Sequence, residues 1–339
     1  MRLKNERDRM GNTMKSIAIV IPNYNGMRYL PGCLDSLREQ TDRDFEIIMI
    51  DNGSTDESVP YVRAHYPEVR IRAYHRNTGF CAAVNAGIRM SSTPYVLLLN
   101  NDIVCNREMV GELHRAIQSS DTLFSCCAKM ISMQDPSVID DAGDLYCALG
   151  WAFARGKGAS RSLYCREENV FSCCAAAAIY RREILDRIGL FDEKHFAYLE
   201  DLDIGYRARI QGYKNRYIPS AIVYHAGSAT SGSRHNAFKV RLSARNSLWI
   251  LRKNMPAWQI LLNAPLLAAG YMVKAAYFTK KHLGKAYLQG LAEGLRGMGQ
   301  VQQAPGGRLG TYLKIQLELW KNCFLRIFEG VRERSENSA

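Results

Sequence analysis

Short apolar runs that stop abruptly in polar side chains occur three times in the first third of this chain. The clearest is residues 97–102, with the sequence Leu-Leu-Leu-Asn-Asn-Asp, and residues 17–26 and 45–56 follow the same pattern. A continuous apolar run is typical of a strand buried on both faces, as in a parallel sheet. Because ligands of open α/β sheets bind beyond the carboxyl ends of the strands, the pattern predicts three strands that deliver polar groups to one edge.

The spacing of the apolar runs extends this pattern into a large α/β domain. From residue 15 to about residue 224, strand-like runs alternate with helix-like ones, which is typical of βαβ units and a mainly parallel sheet. We therefore assign residues 15–235 to one α/β domain, with a mobile Gly- and Ser-rich loop at residues 227–233. Residues 1–14 are polar and are expected to form a flexible lead, without the apolar segment of a signal peptide.

The ten cysteines favour a reducing compartment. None belongs to a C-x-x-C pair, and several lie within apolar runs, so we interpret them as small core residues rather than zinc ligands or disulfide partners. Together with the polar lead, this predicts a cytoplasmic protein.

The excess positive charge lies entirely in the last third of the chain. Lys and Arg number 28 against 28 Asp and Glu in residues 1–230, and 17 against 5 in residues 231–339. These cations alternate with apolar stretches and aromatic residues, a pattern nearer to an interfacial membrane helix than to a nucleic-acid-binding face. We expect peripheral contact with a membrane and no nucleic-acid partner. The alternative is an ordinary helical subdomain with a basic surface.

Residues 236–339 are predicted to form a basic amphipathic helical region. In its last helix, residues 309–334, apolar side chains recur every three or four positions and leave Lys314 and Lys321 on the opposite side. Residues 258–271 are the most apolar segment but are interrupted by polar residues and proline. A bilayer crossing needs roughly 20 mostly apolar residues, so we expect an interfacial or core helix here.

The first polar cluster lacks the motifs that grip a pyrophosphate. Neither G-x-G-x-x-G nor G-x-x-x-x-G-K-[ST] is present, and the first run ends in Pro22, Asn23 and Asn25. The backbone and amides of such a segment could frame a nucleobase and ribose. Asp51, after the second run, could accept a hydrogen bond from a base N–H or a ribose hydroxyl. Its alternative role is that of a turn residue.

The other carboxylates at the ends of apolar runs are candidates for metal binding and proton transfer. Asp102 suits magnesium or manganese, with Asn100 and Asn101 bonding sugar or phosphate oxygens. Its alternative role is to cap the helix expected at residues 106–119. Glu200, Asp201 and Asp203 lie together before or within a predicted helix, where one could act as a general base and any could simply stabilise the helix start.

Cationic candidates follow the last strand-like run. His225 ends that run, and Arg241 and Arg245 follow the Gly- and Ser-rich loop. They could supply a metal ligand and positive charges for a departing diphosphate. The alternative is a structural histidine and a solvated basic helix.

Taken as an ordered set, these segments closely resemble family-2 inverting glycosyltransferases, most nearly the rhamnosyltransferase-like branch. The segments that carry the resemblance are residues 20–26, 51–56, 77–87, 98–102, 188–193 and 200–212. The resemblance implies a GT-A fold for residues 15–235, with the helical region as an appendage. It implies nucleoside contacts by Pro22, Asn23, Asn25 and Asp51, and nucleotide and sugar contacts by Asn77 and Gly79.

The resemblance also implies the catalytic roles. Asp102 stands where the last acid of the family's D-x-D metal motif stands, although the triplet here is Asn-Asn-Asp and has a single carboxylate. His225 matches a late histidine that some members use as a metal ligand. Asp201 is expected to deprotonate the acceptor hydroxyl, with Glu200 as a neighbour that could exchange roles with it. The implied cofactor is Mg²⁺ or Mn²⁺.

The predicted reaction moves a sugar from dTDP-rhamnose or a UDP-sugar to a hydroxyl of a glycan or polyprenyl-linked acceptor, in cell-surface polysaccharide synthesis at the inner face of the membrane. A nucleotidyltransferase acting on sugar phosphates is one alternative, but it should have a Gly-rich, Arg-containing loop after the first strand. A non-catalytic membrane-binding module is another, and it leaves the strand-end clusters unexplained.

Overall fold

The computed structural model describes residues 15–227 and 236–336, with side chains up to residue 326. The predicted flexible lead at residues 1–14 lies outside these ranges, as does most of the predicted mobile loop. Within the described ranges, the strands are β1 Ile17–Asn23, β2 Phe45–Asp51, β3 Val69–Ala73, β4 Tyr95–Leu99, β5 Ile103–Cys105, β6 Leu123–Ser132, β7 Ile139–Asp141, β8 Asp144–Cys147, β9 Trp151–Ala154, β10 Glu168–Val170, β11 Ala177–Arg181 and β12 Lys214–His225. The helices are α1 Leu30–Arg38, α2 Ser58–His65, α3 Phe80–Arg89, α4 Met109–Gln118, α5 Arg182–Ile188, α6 Glu200–Ile210, α7 Ala237–Asn254, α8 Ala257–Lys280, α9 Gly284–Gly297 and α10 Leu309–Glu336.

The central sheet confirms the predicted α/β fold. Its strand order is β10-β12-β6-β11-β4-β1-β2-β3, with β5 beside β12 and β7 beside β6. The pairings point β1, β2, β3, β4, β6 and β12 in one direction, and β5, β7, β10 and β11 in the other. The sheet is therefore mainly parallel, and the carboxyl ends of its parallel strands share one edge.

Both faces of this sheet are buried, as the apolar runs predict. On β4, Leu97 and Leu99 join the core on the side of α1, α2 and α4, whereas Val96 and Leu98 join the core on the side of α3, α5 and α6. All four are completely buried. Alternate side chains of a strand point to opposite faces, so a strand covered on both faces must be apolar at every position.

The last third of the described chain packs on the sheet domain. Apolar residues of α6, α7, α8 and α10 form one core with the β8–β9 hairpin, which pairs antiparallel outside the main sheet. Helices α7 and α9 pack closely, with Gly290 lying against the backbone of Arg241. The hairpin, which the apolar pattern does not predict, connects the edge of the sheet domain to the C-terminal helices.

Candidate functional site

The polar residues that end β1, β2 and β4 form one hydrogen-bonded chain. The Nδ2 of Asn23 donates to Asp51 Oδ1 at 2.8 Å, and the Nδ2 of Asn101 donates to Asn23 Oδ1 at 2.6 Å. All three side chains are buried. Parallel pairing opposes Asn23 to Asp51, so the register of β1 and β2 aligns this part of the predicted site.

The turns after β1 and β2 hold each other through side chains. Asp51 accepts from the backbone N–H of Ser54 at 3.0 Å and from its hydroxyl at 2.5 Å. Asn25 has a left-handed backbone, with φ of 49°, and its N–H donates to Ser54 Oγ at 2.8 Å. Pro22 is half-buried in β1. Asp51 therefore stabilises a turn, as its alternative role predicts, while lying at the edge where a ligand is expected.

The segment before α3 reaches the loop that precedes α6. Asn77 Oδ1 accepts from Asn52 Nδ2 at 3.0 Å and from the Gly79 N–H at 2.9 Å. Gly79 has φ of +92°, and a Cβ built on it would lie 2.7 Å from the ring of Phe196. Only glycine combines this φ with such close packing without strain. Gly79, one of the predicted donor contacts, thus packs against the loop that leads to Glu200.

Asp102 and His225 come together, and Asp140 joins them. Strand β5 follows Asp102 and pairs with β12, so that His225 lies opposite Ile103. The Nε2 of His225 is 3.5 Å from Asp102 Oδ1, and its Nδ1 is 2.7 Å from Asp140 Oδ2. Burial opposes the charged imidazolium, but the two carboxylates raise the pKa of His225 to about 9. Lys157 also pairs with Asp140.

The capping alternative for Asp102 is wrong. Helix α4 begins at Met109, and its N-cap is Glu108, well past Asp102. Asp102 is 5% exposed, and among the described residues its Oδ1 has the 3.5 Å contact with His225 Nε2 but no hydrogen bond of good geometry. A buried carboxylate oxygen with so long a contact to its partner is a natural ligand for a cation. One carboxylate and one imidazole match the donor preferences of Mn²⁺ and, less closely, Mg²⁺, so Asp102 and His225 fit the implied ion, while Asp140 holds the imidazole through the other ring nitrogen, Nδ1.

Glu200 and Asp201 occupy the first turn of α6, so both acids lie within the predicted helix rather than before it. Its N-cap is Leu199, with a left-handed backbone, so neither acid caps the helix. Burial raises the pKa of Asp201 above its ordinary value, although the Leu202 N–H donates to it at 2.7 Å. Burial and then the charge of Asp201 raise the pKa of Glu200 to about 8. Raised carboxyl pKa values in a buried pair are typical of proton-transfer sites.

Asp203 is different from these two neighbours. It is completely buried and accepts from Arg207 Nε at 3.1 Å, Lys253 Nζ at 3.3 Å and Asn254 Nδ2 at 3.0 Å. Burial opposes its ionisation, but these cations outweigh burial and hold the pKa of Asp203 well below its usual range. We infer that Asp203 ties α6 to α7 and performs no proton transfer.

Two further acids connect the Asp102 and Asp201 ends of the site. Ligand atoms of Asp141, Asp144 and Cys174 lie within 4.8 Å of one another. Burial, then the charges of Asp140 and Asp201, raise the pKa of Asp141 to about 7. The sequence Asp-Asp-Ala-Gly-Asp at residues 140–144 was the available signal, but nothing in it shows that these acids face His225 and Asp201.

Arg241 and Arg245 lie at a separate place on α7. With Phe196 and Phe238 they line a pocket of about 220 Å³. Arg241 pairs with Glu293, and Arg245 donates to the backbone oxygens of residues 194 and 195. Among the contacts of the described chain, none joins either guanidinium to Asp102 or His225. The predicted donor contact of these two arginines stays a prediction.

The comparisons with known proteins all point to glycosyltransferases. A family model described as glycosyl transferase family 2 matches residues 18–189. An N-acetylglucosaminyl-diphospho-decaprenol L-rhamnosyltransferase of Mycobacterium tuberculosis is 26% identical over 264 residues, covering 69% of this chain and 86% of that protein. An uncharacterized glycosyltransferase of Bacillus subtilis, YwdF, is 29% identical over 247 residues, covering 68% and 84%.

Solved structures show the same fold at low sequence identity. A mannosyltransferase of Pyrobaculum calidifontis, in complex with GDP-Man and Mn²⁺, has a TM-score of 0.53 at 15% identity and covers 83% of this chain and 87% of that one. GalNAc-T7 with UDP, GalNAc and Mn²⁺ has a TM-score of 0.59 at 13% identity, with 87% and 59% covered. The predicted GT-A fold is confirmed. With the family model covering half of its residues, the chain belongs to glycosyl transferase family 2 and is similar to rhamnosyltransferases.

Proposed function

We propose that this protein is an inverting glycosyltransferase that uses a nucleotide-sugar and a divalent cation. One observation carries the proposal: three groups of polar residues lie along one end of the sheet, namely hydrogen-bonded Asn23, Asp51 and Asn101, then Asp102 beside His225 and Asp140, then Asp141, whose pKa is raised in part by the charge of Asp201. Its parts match what the reaction needs, namely recognition of a nucleoside, neutralisation of a diphosphate and removal of a proton.

The ligands proposed for the cation are Asp102 and His225, and Asp140 orients the imidazole by holding its Nδ1. When bound there, Mn²⁺ or Mg²⁺ supplies positive charge that stabilises the diphosphate of the donor. The chain's own groups do the rest. The turns after β1 and β2 hold the nucleoside, while Asn100 and Asn101 bond sugar or phosphate oxygens.

The chemical step is a single displacement. The acceptor oxygen bonds to the anomeric carbon as the bond from that carbon to the diphosphate oxygen breaks, and the bonding electrons leave with the nucleoside diphosphate. The acceptor proton passes to the carboxylate of Asp201, whose raised pKa makes it a better proton acceptor than an ordinary aspartate. Attack from the side opposite to the diphosphate inverts the anomeric configuration.

The relatives support a lipid-linked acceptor. The M. tuberculosis relative is named as acting on a diphospho-decaprenol-linked sugar, and a relative of Mycobacterium bovis, 28% identical over 193 residues, is named for PGL/p-HBAD biosynthesis. We propose dTDP-rhamnose or a UDP-sugar as donor, a glycan or polyprenyl-linked hydroxyl as acceptor, and a role in cell-surface polysaccharide synthesis. The proposed location is the cytoplasmic face of the membrane.

Thermal unfolding with a panel of nucleotide-sugars, each with and without Mn²⁺, tests donor and cation together. We expect one donor class to raise the melting temperature, with a larger increase when Mn²⁺ is present. Asp102→Asn should lower the apparent affinity for Mn²⁺, measured from the Mn²⁺-dependent increase in melting temperature, by roughly tenfold or more. Asp121→Asn, at an exposed acid, is the matched control.

Product stereochemistry tests the mechanism. With the donor so identified, proton NMR of the product should show an anomeric configuration opposite to that of the donor. Retention would contradict the displacement mechanism. Failure of every nucleotide-sugar to stabilise the protein would contradict the proposed donor class.

A further inference from the structure

Helix α8 has its polar side chains inside and its apolar side chains outside. The buried residues on its first turns include Gln259 and Asn263, which are completely buried. On the opposite side, Leu261 is 74% exposed and Met272 66% exposed. A helix packed on a soluble protein normally shows the reverse arrangement, because burying apolar surface is what stabilises it.

The buried polar residues of α8 are satisfied by α10. Gln259 Nε2 donates to Gln316 Oε1 at 3.1 Å, and Asn263 Nδ2 donates to the same oxygen at 2.8 Å. Gln316 Nε2 and Trp320 Nε1 both donate to Asn263 Oδ1, at 2.9 and 3.0 Å. This network fixes how α8 and α10 are rotated about their own axes relative to each other. Because their polar sides face each other, their apolar sides point outward.

Helix α10 shows the same inversion. The apolar stripe that the sequence predicts is present, but it faces outward: Leu309, Leu313, Leu317 and Phe324 are each about half exposed or more. The side that packs on the protein includes the buried Gln316 and the residues 319, 322 and 323. We call the exposed Leu261, Leu262, Leu266, Met272 and Val273 of α8, together with this stripe of α10, the outer apolar face.

Exposed cations surround the outer apolar face. Lys280 and Lys281 end α8, Lys285 begins α9, and Lys314 and Lys321 lie on α10 beside the apolar stripe. None of these lysines forms an ion pair with a carboxylate among the described side chains. The acids nearest in sequence, Glu293 and Glu318, are already paired with Arg241 and Arg209.

We propose that the outer apolar face docks this enzyme on a bilayer surface that contains anionic lipid. The apolar side chains enter the acyl boundary, and the flanking lysines contact lipid phosphates. A second copy of the chain is a poorer occupant, because it would bring the same lysines together. The inference rests on the proposed function in one respect: docking would place the enzyme at the membrane, where a lipid-linked acceptor lies.

The geometry favours docking over crossing. Helix α8 has 24 residues and extends beyond the apolar segment at residues 258–271, and by length and composition alone it could cross a membrane. However, its Gln259–Asn263 side is hydrogen-bonded to α10, and Lys274 lies mid-helix over the ring of Trp151. A helix held along one side by the protein can present only its other side to lipid.

The hairpin connects α8 to the site. Strand β8 begins at Asp144, in the acid cluster, and β9 begins at Trp151, whose Nε1 donates to the Gly270 oxygen of α8 at 3.0 Å. The helix that carries much of the outer apolar face is therefore held on its inner side by the hairpin that begins in the acid cluster.

Vesicle co-sedimentation of the full chain tests the proposal without any sugar donor. We expect binding to vesicles of phosphatidylcholine with phosphatidylglycerol, weaker binding to phosphatidylcholine alone, and release by high salt. Leu261→Glu with Leu317→Glu should lower the partition coefficient by roughly tenfold or more. Leu163→Glu is the matched control, since Leu163 is 45% exposed on the sheet domain, away from this face. Unfolding curves establish that each variant is folded.

Four results would overturn the proposal. Three are absence of binding to anionic vesicles, equal binding by the double variant and the wild type, and a dimer in light scattering that the same double variant dissociates. The fourth is retention in cell membranes after alkaline extraction, because a protein docked on the surface is released by that treatment. None of these measurements requires sugar transfer. Failure of the docking proposal would therefore not count against the proposed glycosyltransferase activity, which is tested separately.

Discussion

Replacement of Asp203 by asparagine should destabilise the protein strongly without acting on the chemistry directly. The carboxylate is completely buried and is the shared counter-charge of Arg207 and Lys253. Breaking a buried ion pair by removing one partner costs about 3–5 kcal/mol. Here both cations keep other partners, since Arg207 donates to three backbone oxygens and Lys253 pairs with Asp192. We therefore expect a loss near the lower limit, about 3 kcal/mol.

Urea unfolding at neutral pH, followed by tryptophan fluorescence, measures this loss. Asp201→Asn is the informative comparison, because burial raises the pKa of Asp201 and its ionised form is therefore unfavourable in the fold. Asp201→Asn should leave stability unchanged or slightly increased. The two substitutions are chemically identical and lie two residues apart, so a difference between them reports on environment alone.

The pH dependence provides an independent check on Asp203. Its pKa is lowered in the folded protein, so its contribution is present above the pKa of an unfolded aspartate, about 3.9, and is lost as the pH falls below that value. The difference in unfolding free energy between wild type and Asp203→Asn should therefore be constant near neutrality and shrink in acid. A difference below about 1 kcal/mol at neutral pH, or a larger loss for Asp201→Asn, would refute the assignment.

Three other substitutions test how the site is held. Asn246→Ala removes the Nδ2 that donates to the oxygens of residues 195, 197 and 198, so it should cost about 2–3 kcal/mol in urea unfolding and lower kcat more than it changes the donor KM. Gly79→Ala places a Cβ 2.7 Å from Phe196 at φ +92°, so it should cost about 1–3 kcal/mol and weaken donor binding in calorimetry. Asp140→Asn removes the carboxylate that holds Nδ1 of the proposed ligand His225, so titration of Mn²⁺ should show weaker binding, by roughly tenfold or more, with little change for Asp121→Asn. An unaltered kcat would contradict the expectation for Asn246→Ala. Unaltered donor affinity would contradict that for Gly79→Ala, and unaltered Mn²⁺ affinity that for Asp140→Asn.

Much of the sheet could be predicted because its strands are short, apolar and local. The runs at residues 17–21, 45–50 and 95–99 match β1, β2 and β4 closely, since a strand buried on both faces has a composition that few other elements share. The same reasoning predicted that Asn23, Asp51 and Asn101 lie at one edge of the sheet. That prediction depends only on the shared direction of the parallel strands.

The remaining features depend on contacts between distant residues. Asp140 contacts His225 across 85 positions, and strand β5 has only three residues, too few for a periodic signal. Strand β11, Ala177–Arg181, lies antiparallel between β4 and β6, a placement that no local pattern specifies. Periodicity likewise identified the apolar stripe of α10, but only the polar network with α8 shows that this stripe points away from the protein.

The central claim is that Asp201 removes the acceptor proton at a nucleotide-sugar site. The most direct test measures two quantities for Asp201→Asn and for the wild type: the rate of sugar transfer, and the increase in melting temperature caused by the donor. Asp121→Asn is the control. We predict a rate lowered by roughly 10²–10⁴-fold with an unchanged melting-temperature increase. A rate within a few-fold of wild type would contradict the account.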